Sequence, residues 1–123
     1  MIPKIEVRTE VIPAYAVLHL SGFVNTYAEE AIEEEVRRLL DMRCPYVLLD
    51  FGNVEHINSA GITILIGLAA RVQDQGGRLG AYGLNEHYRK IFRMVGLEEF
   101  IRVGSDREVL LEGMKSPAEG DEN

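Results

Sequence analysis

The feature that most constrains the fold is Tyr46-Val47-Leu48-Leu49-Asp50, opened by Pro45. A run of adjacent apolar residues, with no polar alternation, suits a strand covered on both faces. The chain after it alternates in kind. A helix runs from about 60 to 75 and ends at Gly76-Gly77, where glycine supplies the left-handed residue of a helix stop. A strand follows over 78–82, then a helix capped by Asn85 that continues through Val95 and stops at Gly96. A short strand spans 100–103, and Ser105-Asp106 caps a last helix reaching about Lys115. Strand and helix in strict alternation call for parallel strands joined by right-handed crossovers.

The N-terminal part differs. Residues 4–9 alternate apolar and polar, as a half-buried strand does, and Tyr15 to Leu20 form a second strand beyond Pro13. Strands this close pair most easily as antiparallel neighbours, with Gly22 ending the pair. Thr26-Tyr27-Ala28-Glu29 reads as a capping box, followed by Ala28, Ile32, Val36, Leu39 and Leu40 at helical spacing. Between them Glu29, Glu30, Glu33, Glu34, Glu35, Arg37 and Arg38 form a solvated face, acids first and bases last, which suits the helix dipole. In the helix over 60–75, Ile62, Leu65, Ile66, Ala69 and Val72 make one stripe that Ile64 and Leu68 widen, so most of that helix is expected to be covered.

The expected fold is therefore α/β: a mixed central sheet, with an antiparallel N-terminal pair and then parallel βαβ units, and about four helices packed against it. One domain occupies 1–115, and the acidic 116–123, with no apolar anchor, is expected to be disordered. The edge strand near the N-terminus is able to pair weakly with a second copy of itself, while Lys4, Glu6 and Arg8 read as protection against that.

Composition narrows the function. At 123 residues there is room for one core of normal size. A net charge of −7 argues against nucleic acid or a membrane surface as partner, since both are polyanions. Cys44 is the sole cysteine, which excludes an intramolecular disulfide or a multi-cysteine metal site, and beside Pro45 it reads as a buried structural thiol. The N-terminus lacks the regions of a signal peptide, and the longest apolar stretch, 62–70, is far short of the roughly 20 residues of a membrane-spanning helix, so the cytoplasm is the expected address. The phosphate-loop, dinucleotide and G-x-S-x-G signatures are absent, and His19, His56 and His87 lack metal-ligand spacing. Ser59 with His56 and Asp50 leaves a nucleophile reading that only geometry decides. Neither catalysis nor a cofactor is otherwise indicated.

The informative segment is Asp50 to Ile62, which leaves a buried strand and enters a buried helix. Asn58 and Ser59 fall at the helix N-terminus, where unpaired N–H groups and the dipole favour an anion. Both are also good caps, worth about 1 kcal/mol, with no function required. Gly61, inside the first turn, costs up to about 1 kcal/mol relative to alanine. It suits a place where another backbone must come close.

This segment resembles the signature of STAS domains, specifically the bacterial anti-sigma factor antagonists: a strand with D-h-s-x-V-x-x-h, where h is apolar, then D-S-x-G-h opening a helix. Asp50, Val54, Ile57, Ser59, Gly61 and Ile62 fall in register with it. Leu18 to Asn25 resembles the upstream L-x-G-x-h-D, and Gly76-Gly77-Arg78-Leu79, Ile91-Phe92 and Gly96-Leu97 match later landmarks, so the likeness covers about 4–113. The resemblance implies a non-enzymatic binding module that switches partners. Its serine is phosphorylated by a kinase that is also the anti-sigma factor, and the unphosphorylated form binds that kinase and frees the sigma factor. By position it implies Ser59 as phosphoacceptor, with Asn25, Thr26, Asn58, Ser59, Ala60 and Gly61 at the partner contact. The chain departs from the pattern at Asn25 and Asn58, where the family has aspartates. Asparagine keeps the capping ability and loses the charge. A scaffold that is not phosphorylated, or a STAS subunit attached to a membrane transporter, is the alternative, with Ser59 as a helix cap.

Overall fold

In the computed structural model, which describes residues 4–115, the strand opened by Tyr46 is the middle of a five-stranded sheet. The strands are β1 (Ile5–Ile12), β2 (Tyr15–Val24), β3 (Tyr46–Ile57), β4 (Arg78–Tyr82) and β5 (Ile101–Gly104), ordered in space as in sequence. β1 and β2 are antiparallel and every later pairing is parallel. The helices are α1 (Glu29–Asp41), α2 (Ser59–Asp74), α3 (Glu86–Met94) and α4 (Arg107–Lys115). The mixed sheet with its antiparallel start is the expected one. The tail assigned to 116–123 lies outside the described residues.

The apolar run of β3 is covered on both sides. Val47, Leu49 and Phe51 join Ala16, Leu18 and Leu20 of β2 in the main core under α1, α2 and α3. Leu48 and Val17 point the other way and meet Leu110 and Met114 of α4. Two glycines make room for that helix: a β-carbon on Gly80 would lie 2.6 Å from Met114 Sδ, and one on Gly104 2.8 Å from Leu110 Cβ. Cys44 is half-buried and its thiol donates to Tyr46 O at 3.4 Å; burial pushes its pKa up, as suits an unreactive thiol. Among the described residues no helix is long and apolar enough to cross a membrane.

Four local expectations need correction. Gly22, at φ +107° and opposite Ile5, closes the β1–β2 pair as expected, but the second strand does not end at Leu20: β2 continues to Val24 alongside β3. A β-carbon there would collide with the Lys4 carbonyl, so the glycine lets β1 and β2 close up where the strand bends. The strand opened by Tyr46 does not end at Asp50: β3 runs on to Ile57, paired with β2 as far as Val24 and Ile57. The helical entry is capped by Asn25 rather than by Thr26. Asn25 is extended and accepts from Tyr27 N, Thr26–Ala28 form a 3-10 turn, and Ala28 at the start of α1 makes no side-chain cap. Finally, the buried face of α2 is rotated. Gly61, Ile64, Leu65, Leu68, Ala69 and Val72 are buried, whereas Ile66 is 46% exposed alongside Thr63, Gly67 and Ala70. The buried set follows i, i+3, i+4, i+7, i+8, i+11 counted from Gly61, so the glycine's contact sets the phase of the helix.

Candidate functional site

β4 pairs with β3 only as far as Asp50↔Tyr82, so β2 and β3 run on together beyond the rest of the sheet. Their ends, Val24 and Ile57, lie side by side, and the chain turns into a helix from each. The two turns use one device. Asn25 Oδ1 accepts from Tyr27 N at 3.0 Å, and Asn58 Oδ1 accepts from Gly61 N at 2.9 Å. Each asparagine satisfies a helical N–H that would otherwise lack a partner.

The turns are locked together by backbone. Asn58 N donates to Val24 O at 3.2 Å. A β-carbon on Gly61 would collide with that same carbonyl and lie 3.0 Å from Ile57 Cγ2. The close approach inferred from the glycine is thus real, and its partner is the end of β2. Ser59, the first residue of α2, is left exposed, and its carbonyl accepts from Thr63 Oγ1 at 3.2 Å. Asn58 and Thr26 are exposed, Asn25 and Ala60 half-buried, and Gly61 buried, so the structure brings all six sequence-inferred residues to one end of the sheet. From there an open groove of about 320 Å³ runs between the two helical segments, lined by Thr26, Glu29 and Glu33 on one side and Ala60, Thr63 and Gly67 on the other.

Sequence reasoning missed a support from α3. Asn85 caps that helix by accepting from Tyr88 N, and Tyr88 is buried. Its hydroxyl accepts from Ile57 N at 3.1 Å and is hydrogen-bonded to His56 Nδ1 at 3.0 Å. The backbone just before Asn58 is therefore held by a side chain 31 positions away. Apolar spacing marks Tyr88 as inward-facing; nothing local marks its partner. Tyr88→Phe leaves the Ile57 N–H unpaired and is expected to cost about 1–3 kcal/mol in urea unfolding. A change below a few tenths would show that the bond carries no weight.

The nucleophile reading of Ser59, His56 and Asp50 is not assembled. Asp50 Oδ1 accepts from Gly52 N, and Oδ2 lies 2.7 Å from His19 Nδ1. His56 is engaged with Tyr88 instead. His19 Nε2 in turn meets Glu10 Oε1 at 2.8 Å, and Arg107 of α4 donates to the same oxygen at 2.9 Å. His19 first, then Arg107, holds the Glu10 carboxyl below its ordinary range. Asp50, although in register with the signature, thus belongs to a polar cluster that ties β1, β2 and β3 to α4. No group of three or more His, Cys, Asp or Glu among the described residues is placed to hold a metal ion.

The model of the STAS domain family matches residues 5–109, and the chain belongs to that family. BtrV of Bordetella bronchiseptica, named as a candidate anti-sigma factor antagonist, is 29% identical over 97 residues, which cover 79% of this chain and 84% of BtrV. An anti-sigma factor antagonist from Mycobacterium paratuberculosis has the same fold, with a TM-score of 0.78 at 18% identity over 92% of this chain and 96% of that one. The phosphorylated form of the Bacillus cell fate determinant SpoIIAA superposes with a TM-score of 0.67 at 18% identity, over 88% and 99% of the two chains.

Proposed function

We propose that this chain is a cytoplasmic anti-sigma factor antagonist, a single STAS domain over 1–115 that binds an anti-sigma serine kinase and is released when Ser59 is phosphorylated. The observation that carries the reading is the exposed Ser59 on the first turn of α2, on a backbone fixed by the Asn58 cap and by Gly61 against Val24. Its surroundings suit a docking patch: Asn25, Thr26, Asn58 and Ala60 are polar or small and none carries charge. The likeness to BtrV supports the same function.

The switch follows from charge. A phosphate on Ser59 would add about −1.5 to −2 beside the N–H groups and positive dipole end of α2, which stabilise it. The fold is therefore preserved, while a partner surface fitted to an uncharged patch meets a dianion and loses the contact. Asn25 and Asn58 keep the capping role of the family's aspartates, with their Oδ1 atoms turned inward to N–H groups, and leave the patch without their charge.

The test combines an anti-sigma serine kinase from the same genome, Mg-ATP and intact-mass measurement of the wild type and of Ser59→Ala. One phosphate on the wild type and none on the mutant is expected, with kinase binding weakened about tenfold or more by Ser59→Asp. Binding without phosphate transfer would leave the non-phosphorylated scaffold. Absence of both would remove the antagonist reading and favour the transporter-associated one.

A further inference from the structure

We infer that β1 pairs with β1 of a second copy of this chain, in one antiparallel register centred on Val7, to form a continuous ten-stranded sheet across a two-fold axis. Among the described residues β1 is the sheet's edge, with no strand on its outer side. Its phase is set by β2. Lys4 O accepts from Phe23 N, and pairing continues through Glu6↔Ser21, Arg8↔His19 and Glu10↔Val17. In an antiparallel ladder the bonded pairs alternate, so Lys4, Glu6, Arg8 and Glu10 spend their backbone groups on β2. Ile5, Val7, Thr9 and Val11 turn theirs outward, where they await a partner.

The side chains sort the same way. Thr9 Oγ1 donates to Glu35 of α1 at 2.6 Å, which places Ile5, Val7, Thr9 and Val11 on the α1 face. Lys4, Glu6, Arg8 and Glu10 lie on the opposite face, alternating in sign along the edge. With the axis at Val7, the outward groups of Val7 meet those of its counterpart, and Ile5 meets Thr9. The intervening, closely spaced pairs set Glu6 against Arg8, an attractive pair that occurs twice, and Lys4 against Glu10, whose carboxylate is already held by His19 and Arg107 and adds little. Moving the axis one residue, to Glu6 or Arg8, puts like charges face to face and presents backbone groups already spent on β2. Moving it two residues, to Ile5 or Thr9, keeps opposite signs but forms fewer pairs. The charges that guard this edge against indiscriminate pairing therefore select one register, and the matching partner is the chain itself. Glu35, which accepts from Thr9 on the α1 face, is already paired with Arg38 at 2.8 Å.

The pairing lies at the side of the sheet and leaves Ser59 open, so it is independent of the proposed switch. Sedimentation velocity of the full chain, from dilute to near-millimolar concentration, is the test. The wild type is expected to pass from 13.8 kDa to twice that mass, with association weakened by added salt. Arg8→Glu replaces two attractive pairs by repulsive ones and is expected to weaken association about tenfold or more. The double variant Glu6→Arg with Arg8→Glu restores complementarity and is expected to restore the dimer, which a merely structural defect would not do. A wild type that stays monomeric throughout, or a dimer indifferent to Arg8→Glu, overturns the inference.

Discussion

Gly61→Ala is expected to destabilise the domain by about 3 kcal/mol, although alanine is the better helix former. Helix propensity alone predicts a gain of up to about 1 kcal/mol. The added methyl, however, would collide with the Val24 carbonyl, an atom of rigid backbone that also accepts from Asn58 N. Relief requires α2 to move off the end of β2, which breaks that bond and shifts Ile64, Leu65 and Leu68 out of their sockets. Overpacking of a close-packed site costs about 1–3 kcal/mol, and here the loss of the cap-to-strand bond adds to it. In a domain of this size that lowers the melting temperature by about 10 °C or more. Gly67→Ala is the internal control, because a β-carbon there meets nothing within 4 Å and should give the propensity gain. Thermal melts of the two variants decide the matter: if both rise, the α2–β2 contact is looser than the structure shows.

Phe92→Ala is expected to cost about 3–5 kcal/mol, the range for emptying a buried aromatic site. Phe92 is fully buried and meets Phe51 edge to face, with ring centroids 6.0 Å apart. It is the residue by which α3 grips the second half of β3, and Tyr88 lies one turn before it on the same helix. The substitution should therefore reach the candidate site through the Tyr88–Ile57 bond as well as through the core. Urea titration should show a lower midpoint with an unchanged slope if the native state merely loses packing energy. A loss under about 1 kcal/mol would mean that the surrounding side chains collapse into the space.

Much of this was legible because it is local. The span of β4, the Asn85 and Asp106 caps and the stops at Gly76 and Gly96 each depend on residues within a turn of one another, and each stands as read. The parallel order also followed, since the unbroken apolar run of β3 leaves no face for solvent. The departures all involve contacts distant in sequence. The end of β2 was read too early because beyond Gly22 its partner is the far half of β3, which the local pattern does not show. The polar second half of β3 fell outside the strand read at Tyr46–Asp50 because its strand character comes from β2. In α2 the apolar pattern was broad enough to fit several phases, and the glycine that selects one was not counted as a buried position. At the site, Asn58 and Ser59 stood out by type and position at a helix start and Asn25 came only with the family resemblance, whereas Tyr88 was not marked, because its partner is a backbone N–H on another element.

The placement of α4 has a practical side. Leu110 and Met114 lie on the sheet face opposite the one that carries α1 and α2. Its last turn also sits beside the start of β4, where Arg78 donates to Met114 O at 3.2 Å. Ser59 lies past the far ends of the parallel strands, so the end of α4 and the proposed docking patch differ in both face and end. A fluorophore, a surface linkage or a second protein tethered through Lys115 would leave the patch clear, whereas the same cargo placed before β1 would crowd the edge strand at the end nearer Ser59. The helix farthest from the proposed contact is thus the natural handle of the molecule.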